Sequence, residues 1–477
     1  MFISLLATLL VYSSLAQVTE SSSSCITYDS TEKIITITCK HANLTDVYNA
    51  VKDPNILHKE TVANDDRVWL LNAGIVVAND ALLYINSTDT SWLKVVADGK
   101  TAHLIHIFGS LKIDSVKLTS WNPNTNNYAI TEDSDRKGRD VKVGTPRPYI
   151  VVEKEATGTT DITNSEIAYL GYEAGYGAGR TGLRYVGGDG SIIRGNNIHH
   201  LWFALYTRGV GGMVIENNDI HHNGHYGLDP HTGTHDMIIR NNTVHDNGSI
   251  GIICSLDCYN ITIENNKVYN NTKMGMMFSR NMLDSVARNN IISYEDRGIV
   301  ISESHNNTIH NNTVSDSGSG IDIDTESSQN SIHENIIVNI PFVFALGAGD
   351  EALEQNTLYS NTIIESSEQS INIDQQKPIS TTGSNVTETM EKFTEAPLKP
   401  LTPVSTTGSN VTETMEDFTE APLKPLKPVS TTGSNVTDTM EDFTEVPLKP
   451  VSTTGSNVTE TMVTPIMDAF NILFGQQ

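Results

Sequence analysis

The stretch YGLDPHTGTHD, residues 226 to 236, gathers a phenol, a carboxyl group and an imidazole at Tyr226, Asp229 and His231, with a second carboxyl at Asp236. Side chains of these types take up and release protons once their surroundings adjust them. The chain repeats a pattern, and at the same point its neighbouring copies read IGIICSLDCYN and MGMMFSRNMLD. One copy has therefore exchanged apolar residues for an aspartate, a proline and a histidine. An isolated Asp-x-His usually satisfies itself at a turn, such as the one Pro230 makes here. Whether this copy is a site depends on what the rest of the chain sets beside it.

The elements that would do so are short strands. Between about residues 190 and 375, Asn196, Asn218, Asn242, Asn266, Asn290, Asn312, Asn335 and Asn361 recur at intervals of 22 to 26 residues. Each copy holds alternating segments such as MVIENNDI, MIIRNNTV and ITIENNKV, and none has a helical period. This is the pattern of a solenoid in which each coil buries its inward side chains against the next, and it predicts an all-β fold, a right-handed parallel β-helix. The repeated asparagines then form an internal amide ladder at one corner, with a structural role. VWLLNAGIVVANDALLYINSTD and HLIHIFGSLKIDSVKLTSW begin the same solenoid, which is expected over residues 66–375, with 17–65 as an atypical cap.

Coils of a β-helix lie about 4.8 Å apart, so equivalent residues of successive repeats become spatial neighbours. With Leu183, Leu205, Leu228, Ile252, Met276 and Ile299 as one inward column, alternation sends the next residue outward in every coil. That outward column reads Arg184, Tyr206, Asp229, Ile253, Met277, Val300. Two residues on, a second reads Val186, Arg208, His231, Ser255, Ser279, Ser302. Asp229 and His231 should thus share one solvent face with Tyr206, Arg208 and Arg184 from the two preceding coils. Five polar side chains of complementary type converge where later coils carry Ile, Met, Val and Ser, and this favours a site over a self-satisfied turn.

The remainder of the chain restricts the setting. The first sixteen residues, MFISLLATLLVYSSLA, have the length and small-residue ending of a secretory signal peptide. From about residue 376 a Thr, Ser, Pro and Glu-rich repeat carries Asn-Val-Thr sequons at Asn385, Asn410, Asn435 and Asn457, as expected of a disordered, glycosylated extracellular tail. An exported chain permits Cys25 with Cys39, and Cys254 with Cys258, as disulfides. A net charge of −26 excludes nucleic acid as a partner and obliges any polyanionic substrate to find a locally positive groove. His199, His221, His222, His225, His235 and His245 raise the question of a metal. They arise mainly from the turn after the asparagine, where the repeat copies a histidine, and no metal is expected from them.

Within this type of coil, YGLDPH resembles the YG-apolar-DPH signature of the mannuronan (alginate) C5-epimerases of right-handed β-helix fold. The resemblance extends over about residues 66 to 330, through RPYIVVEK at 147 to 154, SEIAYLGY at 165 to 172 and THDMIIRNNTVHDNGSIGII after the motif. It implies that His231 and Tyr226 move protons at the sugar with Asp229 assisting. It also implies an enzyme that inverts C5 of uronate residues in an anionic polysaccharide, which the N-terminal signal peptide would make a secreted or cell-surface one. Periplasmic members of the family place an arginine after the serine of the next coil to neutralise the substrate carboxylate. Here that position, after Ser255, is Leu256.

The chemistry requires a cation there, because a proton removed next to a carboxylate leaves a carbanion that delocalises into it. By column, Arg208 is the first replacement, with Arg184 and Arg280 behind it, and Tyr206 and Asp236 complete the expected substrate contacts. No cofactor is expected, calcium being the one ion left open, and neither is a membrane span in the mature chain; a monomer is expected. Two other readings share these features. A polysaccharide lyase begins with the same proton abstraction but expels the O4 substituent, and a non-enzymatic glycan-binding rod would use only the surface.

Overall fold

The computed structural model describes residues 24–100, 102–130, 146–173, 180–324, 326–347, 354–364 and 370–373, the last four as backbone alone. The expected signal peptide and repeat tail lie outside these residues. The described chain is a right-handed parallel β-solenoid of about 11 turns. Three sheets run along it. The first has 13 strands, from Ile26–Asp29 to Phe342–Leu346; the second has 14, from Leu57–Val62 to Ser370–Ile373; the third has 11, from Leu82–Asn86 to Thr357–Tyr359. Among the described residues, antiparallel strand pairs occur at the ends, where Ile26–Asp29 pairs Ile34–Ile37, Leu57–Val62 pairs Asp65–Leu71, and Asn361–Ile364 pairs Ser370–Ile373, with one isolated antiparallel bridge between Asn122 and Asn127.

The inward column is as the alternation predicts. Leu205, Leu228, Ile252, Met276 and Ile299 are register partners in the first sheet and have no exposed surface. At the N-terminal end the helix Leu44–Val51 covers the core, buries Leu44 and Val47, and is capped by Asn43 and Asp46 in a reciprocal box. Cys25 and Cys39 form a disulfide there. Cys254 and Cys258 remain buried thiols, Cys254 within the core and Cys258 with its Sγ donating to the Ser255 carbonyl at 3.2 Å. Of the two pairings the sequence permits, only the first is made.

The asparagine ladder runs through one corner. From Asn196 to Asn361, each side-chain amide donates to the Oδ1 of the asparagine one coil on, at 2.9 to 3.0 Å. That same Oδ1 also accepts the backbone N–H of the preceding asparagine. The residue before each rung turns the corner. Asn217, Asn241, Asn265, Asn289 and Asn311 have φ between 54° and 57°, a left-handed conformation asparagine tolerates better than most residues. The repeated Asn-Asn doublet therefore has two causes, a turn and a rung.

A second ladder, not evident from the sequence pattern, joins Asn223, Asn247 and Asn271 and ends on a carboxyl group, with Asn271 Nδ2 donating to Glu295 Oε1 at 2.8 Å. Glu295 is buried, its Oε2 has no partner, and burial raises its pKa to about 8. A carboxyl raised in the folded state is harmless while protonated, so stability should be full below its ordinary pKa and fall as pH rises toward 8. Glu295→Gln keeps the acceptor and removes the titration. Thermal unfolding at pH values above 8 is expected to show the variant more stable than wild type by on the order of 2 kcal/mol, with little difference at pH 5.

Candidate functional site

The strand Leu228–His231 carries the site on the outer surface of the first sheet. Leu228 points into the core and Asp229 and His231 point away from it. Tyr206 pairs in register with Asp229 and Arg208 with His231; Arg184 pairs with Tyr206 one coil earlier, and Ser255 and Ser279 continue the His231 column. The guanidinium of Arg184 lies 5.9 Å over the Tyr206 ring, and the Tyr206 and His231 rings are 5.4 Å apart. The columns expected from the repeat are therefore present.

Their environment differs from the expected solvent face. Asp229 is only 2% exposed and Tyr206 7%. The reason lies in the coils that follow, where Ile250, Ile253, Met274, Met277 and Val300 form a second apolar cluster on the outside of the sheet, with Tyr226 packed against it. A carboxyl in such surroundings is desolvated. Burial drives the Asp229 pKa well above the usual carboxylate range against the opposing charge of Arg280, and its Oδ1 has no hydrogen-bond partner. Burial thus favours the protonated form of Asp229, the form that can donate a hydrogen bond.

His231 is half-buried and moves the other way. Burial first, then Arg280 and Arg208, lower its pKa to about 4, so the imidazole is neutral and able to accept a proton. Its Nδ1 lies 2.5 Å from the Thr232 hydroxyl, which leaves Nε2 as the outward nitrogen. The Thr234 hydroxyl donates to the His231 carbonyl at 2.8 Å and meets Thr207 Oγ1 at 2.9 Å, tying the strand end to the preceding coil. None of these threonines stands out in the sequence, because hydroxyls at a strand end are common. If His231 is the base, kcat/KM should be level through neutral pH and fall about tenfold per unit as pH drops through 4. Rate measurements over that range check this; a fall centred near 6.5 would exclude the depressed imidazole.

Arg280, ranked behind Arg208 by column, lies two coils beyond His231. Leu256 and Arg280 occupy the same corner of successive coils, each after a serine and each with positive φ, 59° and 52°. The Arg280 side chain reaches back one coil, with Nε and Nη2 donating to Ser255 Oγ at 3.0 and 2.8 Å. Ser255 is the register neighbour of His231. Arg280 has no carboxylate within ion-pair distance among the described residues, and it is the leading charge acting on both Asp229 and His231. Column spacing ranks Arg208 first; the geometry ranks Arg280 first and leaves Arg208, exposed beside His231, as the second cation. The signal was present as Ser279-Arg280 repeating Ser255-Leu256.

Tyr226 lies two residues before this strand, half-buried, stacked on His225 at 4.0 Å and tilted against Phe203 at 4.9 Å. Asp236 lies apart. It sits at the exposed corner beyond the strand, where its carboxylate meets His235 Nδ1 at 2.7 Å and accepts from Asn260 Nδ2. The geometry brings Tyr206, Asp229, His231, Arg208 and Arg280 together, extends them through Arg184, and leaves Asp236 in the turn.

A model of the right handed beta helix region matches residues 149–282 and 253–386. No curated protein matches the sequence. Among solved structures the chain is similar to the periplasmic alginate epimerase AlgG, at 20% identity and TM-score 0.58 over 69% of this chain and 85% of that one. A single-substitution mutant of AlgG matches at 21% identity and TM-score 0.53, with the same coverage. The A-module of an Azotobacter vinelandii mannuronan C-5 epimerase matches at 16% identity and TM-score 0.41, over 62% of this chain and 88% of that one. At these identities the likeness is one of fold.

Proposed function

We propose that the chain is an epimerase that inverts C5 of uronate residues in a polysaccharide, of the mannuronate-to-guluronate type. The observation that carries this reading is the Arg280 guanidinium held on the Ser255 hydroxyl, one register step from the neutral imidazole of His231, with the buried carboxyl of Asp229, whose protonated form burial favours, on the same strand as His231. Epimerisation needs these three together. The substrate carboxylate docks on Arg280 and Arg208, and His231 Nε2 takes the C5 proton. The electron pair left on C5 delocalises into the carboxylate, whose second negative charge the guanidinium and the Asp229 proton stabilise. Such fixed electrostatic support contributes about 3 to 4 kcal/mol per well-placed donor. Tyr226 then delivers a proton to the opposite face of the ring.

The low pKa of His231 fits this sequence of events. Burial and, after it, two arginines hold the imidazole neutral in the free protein, and a bound carboxylate offsets the arginines' charge, so the base strengthens when substrate arrives. The similarity of fold to alginate epimerases supports the substrate class. The test is incubation of polymannuronate with the full chain, followed by proton NMR. Guluronate signals are expected, without the ultraviolet absorbance of an unsaturated chain end. Growth of that absorbance would show elimination instead, and neither signal with intact folded protein would leave a binding role.

A further inference from the structure

The sheet face that carries His231 is not uniform in charge along the solenoid. Toward the N-terminus it holds guanidinium groups in successive coils, Arg208 in register with His231 and Arg184 in register with Tyr206. Arg184 lies 5.9 Å over the Tyr206 ring, and Arg180, just before the strand of Arg184, lies 5.5 Å over the ring of Tyr172. In the coil before Arg184, the Glu153 carboxylate is taken up by His106 Nδ1 at 2.7 Å. This half of the face therefore presents cations.

Toward the C-terminus the pattern reverses. The corner after the serine column holds Leu256, then Arg280, then Glu303 in successive coils, all with positive φ, and Glu303 is exposed. Beyond the Arg280 coil, among the described residues, the cation on this face is Arg297. Its Nε is paired with the Asp322 carboxylate and its Nη2 with Asp324 Oδ1 at 2.9 Å. Ser319 Oγ donates to Asp322 Oδ2 at 2.7 Å, while Asp322 is only 1% exposed and its Oδ1 has no hydrogen-bond partner. Two carboxyl groups around one guanidinium leave no positive charge for a ligand. The outward column between Asp229 and Asp322 is Ile253, Met277 and Val300, all apolar and buried.

The coil spacing of about 4.8 Å is close to the length of one sugar unit, so a linear chain lying along the face meets one coil per unit. A uronate chain is held where cations face its carboxylates and repelled where carboxylates do. We propose that the chain extends from the Arg280 coil toward the N-terminal coils, with Arg208, Arg184 and Arg180 as successive subsites, and that Glu303 and the cluster of Arg297, Asp322 and Asp324 end the groove. Glu303 then determines how far from a chain end the reacting unit lies. The inference rests on the epimerase reading for its substrate class. The competing arrangement is a groove open at both ends, in which the chain runs past Glu303 and any interior unit reacts.

The test is incubation of the full chain with oligomannuronates of graded length, tagged at the reducing end, in deuterated solvent. Tandem mass spectrometry then locates the deuterium introduced at C5. Two coils separate that of His231 from that of Glu303, so deuterium is expected only within about two units of one chain end, whatever the length. In Glu303→Lys it should move inward, and the longer oligomers should bind about fivefold more tightly, as reversal of one exposed charge permits. Arg184→Gln should weaken the longer oligomers by a similar factor and leave the shortest unaffected. Deuterium spread through the chain interior in wild type, or Glu303→Lys matching wild type in both position and affinity, would overturn the proposal. If no deuterium enters at all, the epimerase reading fails by itself, and calorimetric affinity still decides the groove. Loss in Arg184→Gln with gain in Glu303→Lys supports the one-sided chain, and affinity unchanged in both overturns it.

Discussion

Replacing Arg280 with alanine is expected to lower turnover about 100-fold or more, in line with the loss of one electrostatic contact to the transition state. The side chain's polar partner is the Ser255 hydroxyl, and it is paired with no carboxylate among the described residues. Thermal stability should therefore change little. Lysine at 280 restores the charge but not the planar two-nitrogen grip, so it should recover part of the rate. Arg208→Ala, which removes the exposed second cation, should cost less than Arg280→Ala. Exchange of the C5 hydrogen with deuterated solvent is the measurement, because it reports proton abstraction whether epimerisation or elimination follows. If exchange survives Arg280→Ala undiminished but collapses in Arg208→Ala, the neutralising cation is Arg208.

Asn242→Ala is expected to destabilise the solenoid by about 3 to 5 kcal/mol, the sum expected when several buried polar groups lose their partners at once. Asn242 Oδ1 accepts from the Asn218 backbone and side chain at 3.0 and 2.9 Å, and its Nδ2 donates to the Ile215 carbonyl and Asn266 Oδ1 at 2.9 and 3.0 Å. No water can replace these contacts in a corner that is buried. The adjacent Asn241 gives the contrast. Its side chain is exposed and its φ is 55°, so Asn241→Gly should leave stability within a few tenths of a kcal/mol. Denaturant unfolding of the two variants separates rung from turn. Equal losses would mean that the doublet acts as one unit.

The contrast between these two predictions marks the boundary of what the sequence could say. The coil period, the inward column from Leu183 to Ile299 and the ladder from Asn196 to Asn361 were readable because a solenoid converts a repeat interval into a spatial neighbour. Register then placed Arg184, Tyr206, Asp229, Arg208 and His231 on one surface. What periodicity could not supply was the environment of that surface. Alternation says which way a side chain leaves the sheet, but not whether water meets it there. Only the packing of Ile253, Met277 and Val300 made Asp229 a buried acid. Side-chain reach was equally outside the pattern. A column assigns Arg280 to the coil after Leu256, whereas a long guanidinium on a left-handed corner can cross one coil spacing and anchor on Ser255. Backbone position followed from the repeat; charge state and reach depended on three-dimensional neighbours, because desolvation and Coulomb forces act through space and leave no period in the sequence.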